Sequence, residues 1–247
     1  MDRLIYTAMT GASHVLQQQA AVSQNLSNVN TPGYRAAINT FRAVPLVGEG
    51  LPTRTFVVDS TSGADFAPGV MQSTGRNLDV AVQGQGWIAV QLDNGSEAYT
   101  RNGSFQVTPN GVLQTRSGQN VAGDAGPITI PPDTEVSVAK DGTISTVPSG
   151  SKPSQVVVVG RIKLVNPPEN QMVRGDDGLF RTKDGNAADA DGSVTVAAGS
   201  LESSNVNTVD AMVNMISLSR QFDMQMKMLQ TADSNAKQAS TLFSIAG

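Results

Sequence analysis

The stretch Asp184 to Gly192 is acidic, and carboxylates spaced along a loop are what a calcium ion would use. Read as D-x-[DN]-x-[DN]-G ending on Gly192, however, its first position is Ala187, and Ala198 stands where the closing glutamate belongs. A surface hairpin is the better expectation. Gly84-Gln-Gly86 has the look of a phosphate loop but lacks the third glycine and a following helix. His14 is the only histidine, on the polar flank of a helical pattern, where a packing or surface role is expected. There is no cysteine, which excludes disulfides, thiol catalysis and thiolate metal sites. The 21 Asp and Glu leave a glycosidase pair open by composition, but no pair is flanked by aromatics that would stack a sugar. No catalytic, cofactor-binding or metal site is therefore expected.

The chemistry the sequence does offer is recognition between surfaces. Asn25 and Asn28 lie three apart, on neighbouring parts of one helical face. Each amide carries donors and acceptors, so it can fix register between chains or cap its own helix. They close a seam that alternates four-three through Met1, Ile5, Ala8, Ala12, Val15, Gln19, Val22, Leu26 and Val29, broken only by Gln19. That is the pattern of a helix packed lengthwise on another, and the small Ala8 and Ala12 let the partner come close. Pro32 biases Thr31 away from the helical region and Gly33 can take a positive φ, so the helix is predicted to end near Asn30.

The chain of 247 residues is long enough for one large or two modest domains. Aromatics make up 4% and charged residues 15%, which suits surfaces that meet other surfaces. Net charge is −4 without a basic run, so the clustered cations that nucleic-acid binding needs are missing. No apolar run approaches bilayer length, and the start lacks a basic stretch followed by a continuous apolar one. From these features alone a soluble cytoplasmic protein is expected. Membrane-surface binding by residues 1–30 is a remote alternative, because the polar face lacks the Lys and Arg that mode favours.

Residues 31–70 read as an irregular connector, broken by Pro45, Pro52, Pro68, Gly48, Gly50, Gly63 and Gly69, with a β-prone run at Thr55 to Val58. From 71 to 203 the period changes to two, and Asn94-Gly95 is a hairpin signal. Asn110-Gly111, Asp141-Gly142, Asp177-Gly178, Asp184-Gly185 and Asp191-Gly192 repeat the turn chemistry, so an all-β domain is predicted. Val156–Val159 and Arg161–Val165 are expected to be its most buried part. Residues 204–247 return to helix, capped by Asn205 or Asn207 with Asp210 in the first turn. One frame runs Met215, Ser219, Phe222, Met226, Leu229, Asp233, Ala236, Ser240, Phe243, widened by Leu218 and Ala232, and an offset stripe precedes it at Val206, Val209, Val213 and Ile216.

Three blocks resemble one family in its order. Ser23 to Tyr34 is similar to the "ANNLANxxTxGY" signature of the rod and hook axial proteins of the bacterial flagellum, with Asn25, Leu26, Asn28, Thr31, Gly33 and Tyr34 matching. Thr74 to Trp87 resembles "TGxxLDxAIxGxGFF", Tyr99 to Phe105 matches "YTRxGxF", and Ser204–Asn207, Met212–Ile216 and Gln230–Asp233 resemble the C-terminal signature. The 247 residues leave little room for the outer domain of a hook protein, so a rod subunit is favoured. The opening residues 1–11 look most like the proximal-rod members, with distal-rod or hook-type proteins as the alternative.

The resemblance implies an α+β fold. Paired terminal helices (1–30 with 204–247) would enclose a connector over 31–70, which wedges between subunits in some relatives, and an all-β domain over 71–203. It implies a non-enzymatic subunit exported unfolded without a cleaved signal peptide, assembling into a tubular drive shaft that crosses the periplasm. Partners would be further copies, other proximal- and distal-rod proteins, the surrounding rings and the export apparatus. Packing between subunits is expected through Ile5, Ala8, Ala12, Val15, Val22, Asn25, Leu26, Asn28, Val29, Val209, Val213, Ile216, Phe222, Met226, Leu229 and Phe243. Because one helix pair leaves the far side of each stripe uncovered, the terminal helices are expected to order fully only on assembly.

Overall fold

The computed structural model describes residues 2–45, 55–124, 126–148 and 156–245. It is an α+β fold of two compact units. One comprises residues 1–27, 37–64 and 206–247, the other 28–36 and 65–205, so the chain passes between them four times. Gly48, Gly50 and Pro52, expected as connector breakers, lie outside the described residues.

The helical unit holds α1 (Asp2–Ser27), a hairpin of β1 (Ala37–Pro45) and β2 (Thr55–Ala64), and α2 (Thr208–Ile245). The strands are antiparallel, in register from Ala37 opposite Ala64 to Pro45 opposite Thr55, with one irregularity after Thr40. The span 31–70 is thus divided. Residues 37–64 cluster with the helices, and 65–70 with the β unit. α1 stops three residues before Asn30. The Asn28 carbonyl accepts Thr31 N–H at 3.1 Å, a turn closed three residues on instead of four, and Gly33 follows at φ 69°. At α2, Asn207 is the cap, its Oδ1 accepting from Val209 N at 3.0 Å and Asp210 N at 3.4 Å. Asn205 has a different task, given below.

The β unit is built on antiparallel pairings around Trp87–Gln91, which pairs with Glu97–Thr100, Asn120–Gly123 and Leu164–Val165. The Asn94-Gly95 turn joins the first two strands, with Gly95 at φ 81°. Val80, Val82, Ile88, Phe105, Leu113, Val121, Ile144, Ile162, Leu164 and Val196 form one core. Phe66, Trp87 and Phe180 make a satellite aromatic cluster, with Trp87 and Phe180 centroids 4.5 Å apart. Two late strands close the unit: Thr195–Ala198 on Val80–Gln83, and Ser200–Glu202 on Met71–Ser73.

The expectation for Val156–Val159 needs correcting. Ile162, Leu164 and Val165 are buried, but Val156, Val157 and Val158 are 55–64% exposed. Val157 and Val158 lie in a strand, Val157–Arg161, that is the outer member of a three-stranded sheet and, among the described residues, has Thr143–Pro148 as its one strand partner. An apolar run by itself does not distinguish a central strand from an edge.

Candidate assembly surface

In the helical unit α1 and α2 run antiparallel. Gly11 faces the Gln225 side chain, and a groove beside the pair is lined by Gln18, Ala21 and Val22 from α1 and by Asn214, Leu218 and Gln221 from α2. Ala8, Ala12 and Val15 are buried on one side, Ala211, Leu218 and Ala232 on the other. With Ile5, Gln19, Val22 and Leu26 half-buried, the α1 seam follows the spacing expected of it. On α2 the buried and half-buried positions after Thr208 are Ala211, Met215, Leu218, Phe222, Gln225, Leu229 and Ala232 among those described, so the seam runs on the side of the expected stripe widened by Leu218 and Ala232, with Gln225 where Met226 was expected. The Gln225 amide lies against Gly11, its Nε2 3.2 Å from where a Cβ would stand.

The opposite faces remain apolar and open. On α2, Val209, Met212, Val213 and Ile216 are 50–67% exposed. Their spacing of three and four aligns them as one stripe over two turns. Met224, Met226 and Met228 are exposed apolar residues further along α2, on other sides of the helix, and Tyr6, Met9 and Leu16 are exposed on α1. Contiguous apolar surface of this kind marks an interaction site on a protein that is stable in water.

The sixteen expected packing residues therefore fall into separate groups. Ile5, Ala8, Ala12, Val15, Val22, Leu26, Phe222 and Leu229 line the seam within the chain, buried or half-buried. Val209, Val213, Ile216 and Met226 are exposed. Asn25 works inside its own unit, its Nδ2 donating to Ala37 O at 3.0 Å and its Oδ1 accepting Ala37 N at 2.7 Å, as a neighbouring strand would. Asn28 and Val29 belong to the β unit, where Asn28 Oδ1 accepts Thr31 Oγ1–H at 3.1 Å. The Phe243 side chain lies outside those described.

Tyr6, Met9, Leu16, Met212, Met224 and Met228 were not anticipated. The signal for the first three was present as a second α1 stripe, offset from the seam by one residue. In the acidic stretch, Asp191 Oδ1 accepts from Ser193 N and Oγ at 2.8 and 2.6 Å, and Asp184 Oδ2 from Asn186 Nδ2 at 3.2 Å. Those hydrogen bonds hold both carboxyls below the usual carboxylate range.

Three family descriptions match the chain: "Flagella basal body rod protein" over residues 5–35, "Flagellar hook protein FlgE/F/G D1 domain" over 81–146, and "Flagellar basal body rod FlgEFG protein C-terminal" over 197–242. The flagellar basal-body rod protein FlgF of Escherichia coli (strain K12) is 50% identical over 99% of this chain and 100% of its own length. The FlgF of Caulobacter vibrioides is 32% identical, over 93% of each chain. The FlgG of Buchnera aphidicola subsp. Acyrthosiphon pisum is 28% identical over 96% of this chain and 98% of its own.

Proposed function

The chain belongs to the flagellar basal-body rod protein family, is most like its FlgF members, and is a structural subunit of the basal-body rod; from that premise we propose how it assembles. Subunits pack side by side and head to tail through the exposed apolar faces of α1 and α2, with coiled-coil-like contacts continuing the intrachain seam outward. Head-to-tail packing that does not close into a ring propagates as a helical tube. Such a tube carries torque along the periplasm-spanning shaft without any chemistry. The neighbours are further copies and other proximal- and distal-rod proteins, and the β unit is free to meet the surrounding rings. Delivery is through the flagellar export apparatus without a cleaved signal peptide.

A single observation carries this reading: Val209, Met212, Val213 and Ile216 form an exposed apolar stripe on a helix whose other face is already occupied by α1. Each such side chain gains about 1.5–3 kcal/mol on burial. Val213→Asp and Ile216→Asp are expected to leave the isolated protein folded, since neither residue is buried in it. Introduced into a flagellated cell in place of the native gene, either should stop incorporation into basal bodies and abolish swimming. Normal incorporation of both variants rules this surface out.

A further inference from the structure

Glu202 is the centre of a buried charge cluster inside the β unit. Its Oε1 lies 2.7 Å from Arg35 Nη1 and accepts Gly69 N–H at 2.8 Å, while its Oε2 takes Arg101 Nη1 at 3.1 Å. All three charged side chains are at most 6% exposed. The Glu202 carbonyl also accepts Gly33 N–H at 2.8 Å. Arg101 is held independently, Nη2 donating to Gly84 O at 2.6 Å and the guanidinium lying 5.5 Å from the Trp87 ring centroid. The Arg35 guanidinium has the Glu202 ion pair alone, its three nitrogens making no hydrogen bond among the described residues, and Arg101 Nε likewise makes none. The Arg35 backbone is held as well, Arg174 Nη1 donating to Arg35 O at 3.2 Å with its guanidinium 4.5 Å from the Tyr34 ring centroid, so the Glu202 carboxylate is the group that seats the Arg35 side chain.

Three residues on, Asn205 does the same work with an amide. Its Oδ1 accepts Ala36 N–H at 2.8 Å, and its Nδ2 donates to Asp65 O and Ala67 O at 3.0 Å. Asp65 N donates to Ala36 O at 2.8 Å, and Asn205 N to Tyr34 O at 3.3 Å. Ala36, Asp65 and Asn205 are the β-unit residues at three of the four places where the chain passes between units, and Gly33 and Arg35 belong to the short segment that begins at the fourth. Among the described residues, the cluster around Val80, Ile88 and Phe105 takes none from 28–36 or from 201–205, although Tyr34 is itself buried.

We propose that Glu202 and Asn205 are positioning residues of a clamp that holds three of the four chain passages, and the segment leading from the fourth, at fixed spacing within the β unit. Load entering the unit is thereby shared among the passages. The mechanical part rests on the rod-subunit reading; the clamp itself does not. Removing the Glu202 charge leaves Arg35 and Arg101 facing each other without a counter-charge, and the strain falls on the Arg35 guanidinium, whose only charged partner among the described residues was this carboxylate. Removing the Asn205 amide strips partners from Ala36 N, Asp65 O and Ala67 O.

The test uses the full-length chain with Glu202→Gln, Asn205→Ala and Arg35→Met/Glu202→Gln, read by amide hydrogen exchange. Glu202→Gln should raise exchange tenfold or more at Gly33 and Gly69, and Asn205→Ala at Ala36, with Val80–Val90 unchanged. The double variant, relieved of the surplus cation, should regain protection at Gly69. Parallel acceleration in Val80–Val90 would make these fold residues and overturn the proposal, as would unchanged exchange at Gly33, Ala36 and Gly69. In cells, both single variants should build basal bodies in normal number but stop swimming at high medium viscosity. Swimming like wild type at every viscosity overturns the load-sharing role. Absence of the tagged wild-type chain from purified basal bodies overturns the rod reading instead, and leaves the exchange result to judge the clamp alone.

Discussion

Gly33 shows what a single residue does here. From the sequence it is a helix stop; in the fold its φ of 69° also brings it against the backbone of Arg101 and Asn102, where any Cβ would collide. Gly33→Ala is expected to unseat residues 28–36, with strain of about 1–3 kcal/mol, seen as lost exchange protection in that segment. The stop was legible in Pro32-Gly33, but the close approach was not, because it joins positions far apart in the chain. Glu202 was illegible for the same reason: nothing near it in sequence marks a carboxylate that meets Arg35 and Arg101. Tyr99 gives a pH test. Burial pushes its phenol above the ordinary 10.0, although its hydroxyl accepts Ala188 N–H at 2.6 Å. The unfolded chain then ionises first, so the stability this residue confers is complete below pH 10 and lost as pH rises through the folded value. Tyr99→Phe should flatten the fall in unfolding midpoint above pH 10 seen in the wild type.

At the scale of elements, spacing alone located both helices, the α1 seam and the Asn94-Gly95 hairpin. In α2 it missed one position, since hydrophobicity favours Met226 while Gln225, beside Gly11, is the half-buried residue. It also buried Val156–Val158, since edge and centre of a sheet look alike in an apolar run. The seam that α2 does use predicts opposite effects for two substitutions. Leu218→Ala empties a buried site and should cost about 2–4 kcal/mol. Gly11→Ala should stabilise by about 0.5–1 kcal/mol, the usual gain from replacing a helical glycine, because the three nearest atoms, at 3.2–3.4 Å, belong to the flexible end of Gln225, which swings aside. Thermal unfolding followed by circular dichroism checks both.

For the whole molecule, the division of the chain predicts which piece stands alone. A fragment of residues 28–205 contains the complete β unit with its clamp, whereas 37–200 has the same core without Gly33, Arg35, Glu202 or Asn205. Both should fold, the longer with a higher unfolding midpoint by calorimetry, and neither should assemble, since both lack α1 and α2. Assembly by either fragment as efficient as that of the full chain would transfer the adhesive role to the β unit.

The late strands that close the β unit also set a schedule. Val80–Gln83 has no edge partner until Thr195–Ala198 exists, a separation of 112 residues at Gln83 and Thr195, and Ala36 waits 169 residues for Asn205. A polypeptide delivered amino end first therefore cannot finish this unit while its last fifth is still to come. Connectivity alone thus delays closure of the unit until Thr195–Ala198 and Asn205 are present.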